Sequence, residues 1–291
     1  RLDRALEVRG DSAAMAQLWA SAEARLLALG GGRIPLEADG LAWQPCAGPY
    51  DPQCHLFLGL VDGSPLFVAG TSSPAPTLRE TMERLPDGEL ELAFAAVGLI
   101  GWHQRAGFCA ECGSATEAVA GGQARRCTGC AVESYPRTDP AVIVAITDDD
   151  DRLLLGRQAS WAPRRFSVFA GFAETGESLE QAVHREMAEE VGLPLTDLRY
   201  LGSQPWPFPR SLMVGFAARA STAELRVDTD EIETATWFSR DELRAALATG
   251  QVLPPSTTSI ARRMIQAWLA GDLSAAGLAG AVISNNELVR S

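Results

Sequence analysis

Between Gly171 and Leu193 the sequence reads GFAETGESLEQAVHREMAEEVGL, with six glutamates (Glu174, Glu177, Glu180, Glu186, Glu189 and Glu190) in a short span. Ser178 followed three residues later by Gln181 is a capping box, which predicts a helix starting near Ser178. Gly192 and Pro194 supply its stop. At 3.6 residues per turn, Glu186, Glu189 and Glu190 fall within about 100° of one helical face. Carboxylates that close repel one another. Such a face makes chemical sense when hard cations neutralise it, and carboxylate oxygens suit Mg²⁺ or Mn²⁺. The alternative is a solvated acidic face with Arg185 as local counter-charge.

A second group is Cys109-Ala-Glu-Cys112, then fourteen residues, then Cys127-Thr-Gly-Cys130. Two CxxC pairs at this separation suit a four-cysteine zinc ribbon, each pair on a tight knuckle that aims two thiolates at one tetrahedral centre. With Cys109, Cys112, Cys127 and Cys130 filling all four positions, the zinc is structural and closed to chemistry. A redox CxxC pair or an iron–sulfur site is the competing reading. A third stretch, Ser203-Gln-Pro-Trp-Pro-Phe-Pro-Arg-Ser211, is stiffened by alternating prolines. It either presents Gln204, Trp206 and Phe208 to a flat ring or tucks its aromatics into the core.

Gly171, Glu177, Arg185-Glu186-Met187, Glu189-Glu190 and Gly192-Leu193 match the Nudix box, G-x5-E-x7-R-E-U-x-E-E-x-G-U with U apolar, at every position. Together with the four-cysteine ribbon and SQPWPFPxS, the chain resembles the NADH pyrophosphatase subfamily of Nudix hydrolases over roughly residues 105–265. The resemblance implies hydrolysis of the pyrophosphate of NAD(H) to NMN(H) and AMP, with some members also removing an NAD cap from RNA 5′ ends. It implies a homodimer with catalytic Mg²⁺ or Mn²⁺ and structural Zn²⁺. The metal-binding and catalytic carboxylates map onto Glu186, Glu189, Glu190 and, from a later loop, Glu231; Glu190 and Glu231 are the general-base candidates. Substrate contacts map onto Phe172, Gln204, Trp206 and Ser211, with Tyr135 and Ala261 shaping the site. The residues alone leave two other functions open: a Nudix hydrolase preferring ADP-ribose or dinucleoside polyphosphates, and a nucleic-acid-binding regulator that uses its ribbon and keeps the Nudix domain as a sensor.

These groups need elements to hold them. The expected fold class is α+β: a Nudix α/β/α sandwich over 135–270, a ribbon over 105–134, an N-terminal Nudix-like α/β domain over 1–104 and a tail over 271–291. Ala13–Leu29 reads as one helix, and Leu56–Leu60 with Pro65–Ala69 as a hairpin around Asp62-Gly63. Asp148–Asp151 reads as a solvated acidic turn. Cys46, Cys54 and His55 read as buried thiols and an ordinary histidine. Arg185 is expected to point away from the acidic face and to orient loop carboxylates.

The chain has 291 residues, 46% hydrophobic and 21% charged, with formal net charge −12; this is a globular composition with room for more than one domain. The acidic balance argues against wrapping a nucleic-acid backbone, so no bulk nucleic-acid binding is expected. No apolar run approaches the ~18 residues of a membrane span, and RLDRALEVRGD lacks a signal-peptide apolar region. A cytoplasmic location is the expectation. The sequence does not open on Met, which leaves the true N-terminus open.

Overall fold

The computed structural model describes residues 2–38, 40–72 and 74–280. Asp39 and residues 281–291, part of the segment expected as a tail, lie outside them. The chain divides into two compact units, Arg1–Thr138 with Pro207–Arg210, and Asp139–Trp206 with Ser211–Ser291.

In the first unit a five-stranded sheet forms around the hairpin His55–Val61 and Ser64–Gly70. Their alternate apolar residues bury Phe57 and Phe67 against Met15 and Trp19. The strand Arg25–Leu29 runs parallel to Ser64–Gly70. It replaces the second half of the helix expected over Ala13–Leu29; only Ser12–Trp19 is helical. Residues of high helix propensity give way because the sheet needs a strand there to cover its neighbour, a tertiary demand stronger than propensity. The long helix Asp87–His103 buries Leu90, Ala93, Phe94, Val97 and Ile100.

The ribbon strands Thr116–Val119 and Ala124–Cys127 dock on this unit through polar ties. The Gln53 amide accepts from Ala118 N (2.8 Å) and donates to Ala118 O (3.2 Å). Gln123 Nε2 donates to Phe57 O at 2.7 Å. At Gly122 (φ 88°) a Cβ would come within 2.6 Å of Leu56, so the turn requires glycine for both conformation and contact. His55 stacks on Trp19 with ring centroids 3.9 Å apart and its Nδ1 accepts from Asp51 N, an ordinary structural role. Cys54 is exposed rather than buried.

The second unit is built on a six-stranded mixed sheet whose central strand, Asp139–Thr147, pairs in parallel with Ser211–Ala220. Period-two alternation splits that strand between two cores. Val142, Val144 and Ile146 face the helix Leu179–Glu190, through Ala182, Val183 and Met187. Ile143 and Ala145 face the other side, where Leu243, Ile260, Met264 and Trp268 come from the helices Arg240–Ala248 and Ile260–Leu269. Helices on both faces make this an α/β/α sandwich. Ala275–Gly280 forms a further helix, with Leu278 buried in the second core.

Within the acidic hairpin turn, Asp148 is buried rather than solvated. Its carboxylate accepts from Asp150 N (3.1 Å), Arg152 N (2.8 Å) and Arg152 Nε (2.7 Å). Asp149 and Asp150 stay in solvent. A buried acceptor of this kind is costly to delete because its donors are left unpaired. Asp148→Ala should therefore lower stability by about 2–3 kcal/mol, and Asp150→Ala by less than about 0.5 kcal/mol, in urea-unfolding titrations; equal effects would refute the assignment.

Candidate active site and structural metal centre

At the ribbon tip the Sγ atoms of Cys109, Cys112, Cys127 and Cys130 all lie within 4.8 Å of one another. Cys109 and Cys130 stand 3.7 Å apart and Cys112 and Cys127 3.4 Å. A tetrahedron with Zn–S bonds near 2.3 Å has edges of about 3.8 Å, whereas a disulfide needs about 2.05 Å. Gly129 N (3.3 Å) and Cys130 N (3.4 Å) donate to Cys127 Sγ, so the knuckle amides stabilise thiolate charge. The donor set and spacing fit Zn²⁺, the structural ion of the ribbon. In Cys127→Ser, bound zinc measured by elemental analysis should fall from about one ion per chain to near zero, with hydrogen-exchange protection lost across Thr116–Cys127.

The acidic helix Leu179–Glu190 starts as its sequence requires: Gln181 N donates to Ser178 Oγ (3.2 Å) and Ser178 N to Gln181 Oε1 (2.8 Å). It ends at Gly192, whose φ of 68° suits glycine and where a Cβ would lie 2.8 Å from Arg226 Cβ. Two of the three clustered glutamates are drawn inward. Glu190 is only 4% exposed, and the Glu186 side chain 13%, whereas the Glu189 side chain is 60% exposed. Spacing of four stacks Glu186 and Glu190 one turn apart at the edge of the buried face. The Glu186 carboxylate lies directly over the strand Phe169–Phe172: a Cβ at Gly171 would sit 1.9 Å from Glu186 Cδ. The first box glycine is thus the floor under a carboxylate.

Arg185 does not point away from these groups. Its Nε and Nη2 donate to Glu177 at 2.7 and 2.9 Å, and Nη2 also to Phe172 O at 2.8 Å. Nη1 lies 3.0 Å from both Glu186 Oε1 and Glu189 Oε2. A planar fork with five donors can hold several acceptors at once, which a helical-wheel projection does not reveal. Glu177 is held below the usual carboxylate range by this bidentate contact.

Glu231 enters from another segment. Asp228 N donates to Glu190 O (2.9 Å), and Glu231 N and Ile232 N turn back onto Asp228 O. The Glu231 charge then acts on both Glu186 and Glu190. Burial, followed by the charges of Glu186, Glu231 and Glu189, pushes the Glu190 carboxyl up to about 8. Glu190 Oε2 is buried with no hydrogen-bond partner. It borders a cavity of about 100 Å³ walled by Gln158, Trp161, Ser167, Phe169 and Ile232, among others. Among the described residues only the four cysteines lie close enough together to share one ion as they stand; the orphaned oxygen of Glu190, with Glu186 one turn away, is an all-oxygen donor set of the kind Mg²⁺ or Mn²⁺ prefers, while Glu189 and Glu231 are exposed. Gln158, Trp161 and Ser167 carry no spacing signal in the sequence; only the fold gathers them.

The remaining residues named from the sequence differ in setting. Phe172 is 55% exposed beside the box. Trp206 is half-buried and Ser211 buried. Gln204, expected to meet substrate, is turned inward: its Nε2 donates to Thr258 O (2.7 Å) and its Oε1 accepts from Ile260 N (2.7 Å). The amide ties its strand to the start of the helix Ile260–Leu269 through one donor and one acceptor. Phe208 meets Phe94 edge-on, with Arg79 4.8 Å from its ring centroid. Ala261 is packed in the core, while Tyr135 is exposed and donates to Glu133 Oε2 at 3.0 Å.

Fold and site define a class: a divalent-metal hydrolase on a Nudix scaffold. Residues 137–257 match the NUDIX domain model and residues 104–135 the NADH pyrophosphatase zinc ribbon domain. The chain is 40% identical over 295 residues to a Mycobacterium bovis protein called NAD-capped RNA hydrolase NudC, covering 92% of each chain. A protein of the same name from Stutzerimonas stutzeri is 40% identical over 220 residues, covering 73% of this chain and 76% of that one. Nudix hydrolase 19, chloroplastic, of Arabidopsis thaliana is 43% identical over 182 residues, covering 60% of this chain and 42% of that protein. The chain belongs to the Nudix hydrolase family, in the group that carries the NADH pyrophosphatase zinc ribbon. It is a hydrolase with a structural zinc and a catalytic Mg²⁺ or Mn²⁺.

The raised Glu190 carboxyl has a stability signature. Its unfolded value is about 4.3, so the folded state binds the extra proton between about pH 4.5 and 8. Stability therefore falls as pH rises through that window when no divalent cation is added. Glu190→Gln should remove this component, raising stability at pH 8 by about 2–4 kcal/mol relative to its effect at pH 4.5. Thermal melts of the two proteins across pH 4.5–8 check this; parallel curves would contradict it.

Proposed function

We propose that the chain hydrolyses the pyrophosphate bond of NAD(H), giving NMN(H) and AMP, and that it removes NAD caps from RNA 5′ ends by the same cleavage. The observation that carries this reading is the buried, unpartnered Glu190 beside Glu186 and Glu231. The ribbon match and the name of the relative that is similar over 92% of the chain support the choice of substrate.

A divalent cation held by Glu186, Glu189, Glu190 and Glu231 would neutralise the pyrophosphate and acidify a water. Glu190 is placed to take the proton of the attacking water: it lines a cavity roomy enough for water, and the charge of a bound cation would keep its carboxyl ionised. Glu231 is the second base candidate. Arg185 holds Glu186 and Glu189 in register with Glu177 and so limits their reorganisation. Phe172, exposed next to the glutamates, offers a ring face for a base. Trp206 and Ser211 belong to the same reading as substrate contacts, with Tyr135 and Ala261 shaping the site. Gln204 enters it as the residue that fixes their strand, through its bonds to Thr258 and Ile260. The reading includes a homodimer, a cytoplasmic location, and a division into an N-terminal domain (1–104), ribbon (105–134) and catalytic domain (135–270).

Product analysis with NADH, NAD⁺ and NAD-capped RNA in parallel tests the substrate. The expected outcome is NMN(H) and AMP, or 5′-monophosphate RNA, only with Mg²⁺ or Mn²⁺ present. Preferential cleavage of ADP-ribose by specificity constant would replace this reading. Glu190→Gln should lower kcat by roughly 10²–10⁴-fold with circular dichroism unchanged; near-normal turnover would overturn its role.

A further inference from the structure

Glu231 lies forty-one positions beyond Glu190 in sequence, on a turn with no regular secondary structure, yet its charge must reach Glu186 and Glu190. One end of the turn is pinned by Asp228 N on Glu190 O. The other end is pinned at Glu233, two residues past Glu231. Glu233 N donates to Arg157 O (2.9 Å), and the Arg157 Nη1 forms an ion pair with the Glu233 carboxylate. The same guanidinium donates through Nη2 to Trp161 O at 3.2 Å, and Trp161 walls the cavity at Glu190.

We propose that Arg157 is a positioning residue for the metal-binding glutamates: through Glu233 and the Trp161 carbonyl it clamps the Glu231 turn and the cavity wall to the end of the strand Leu153–Arg157. This rests on the reading of Glu231 as a metal ligand. Strand pairing fixes the anchor, since Arg157 faces Thr234 in the antiparallel register. The geometry is costly enough to need a purpose. The Arg157 side chain is only 14% exposed, and its Nε is buried without a partner. The desolvated charge is therefore offset by Glu233 and one carbonyl, and removing Glu233 leaves a buried cation uncompensated. Residues that orient metal ligands from behind characteristically change metal affinity 10–100-fold when lost, without touching the metal.

The test reads Mn²⁺ binding by electron paramagnetic resonance on the full zinc-loaded chain, without substrate. Arg157→Ala and Glu233→Gln should each weaken Mn²⁺ binding by about 10-fold or more. The exchanged pair, Arg157→Glu with Glu233→Arg, should bind Mn²⁺ more tightly than Arg157→Ala but less tightly than the unaltered protein, because the ion pair is restored in reverse while a carboxylate at position 157 cannot donate to the Trp161 carbonyl. NADH KM at saturating Mn²⁺ should move less than about twofold, since the clamp makes no substrate contact. Unchanged Mn²⁺ affinity in Glu233→Gln, or an exchanged pair no better than Arg157→Ala, overturns the proposal. Glu233→Gln carries the test if Arg157→Ala fails to fold. Failure of the unaltered protein to cleave NADH bears on the proposed activity alone, because Mn²⁺ binding is measured separately.

Discussion

Like-charge crowding in a poorly solvated place is the constraint on which the second unit depends. Glu190 is almost wholly removed from water, with Glu186 one turn away on the same helix and the charge of the exposed Glu231 acting on both. Burying a carboxylate costs several kcal/mol unless it is neutralised or paired. One side of the cluster is compensated within the chain: Arg185 spans Glu177, Glu186, Glu189 and a backbone carbonyl. The other side, at Glu190 Oε2, has no protein partner and opens to a cavity. That asymmetry leaves an uncompensated carboxylate, which is the feature the proposed cation site rests on.

Much of the surrounding architecture serves to hold the crowd in place. Gly171 is absent of side chain because Glu186 occupies that space, and Gly192 turns the chain where Arg226 packs. The capping box fixes where the helix begins, and therefore which residues reach its inner edge. Two cores press on the sheet from opposite faces, so the strand carrying Gly171 and the helix carrying the glutamates cannot separate without exposing buried methionine and valine. Gln204 and Asp148 do comparable work with polar atoms, each satisfying backbone groups that would otherwise be stranded. The ribbon reaches rigidity by another route. Its strands are too short to enclose an apolar core, and zinc ligation with the Gln53 and Gln123 ties takes that place.

The sequence determined the local chemistry. Spacing announced the acidic helix, its cap, its glycine stop and the four thiolates, because each depends on residues within one turn or one knuckle. The unbroken apolar run Ala141–Ile146 is, in the fold, part of a strand covered on both faces. What the sequence could not decide was anything set by desolvation or by distant partners. Helix propensity over Arg25–Leu29 lost to a sheet that needed another strand. The Pro-rich run left open whether its side chains face a ligand or the core, and in the fold the Gln204 amide bonds the Thr258 carbonyl and the Ile260 N–H. Glu189 and Glu190 are adjacent and chemically identical, yet one is solvated and the other buried and held near 8. That difference follows from the burial of Glu190, which lines a cavity together with Phe169 and Ile232. A carboxylate's basicity is a property of its surroundings, and only the tertiary structure supplies those.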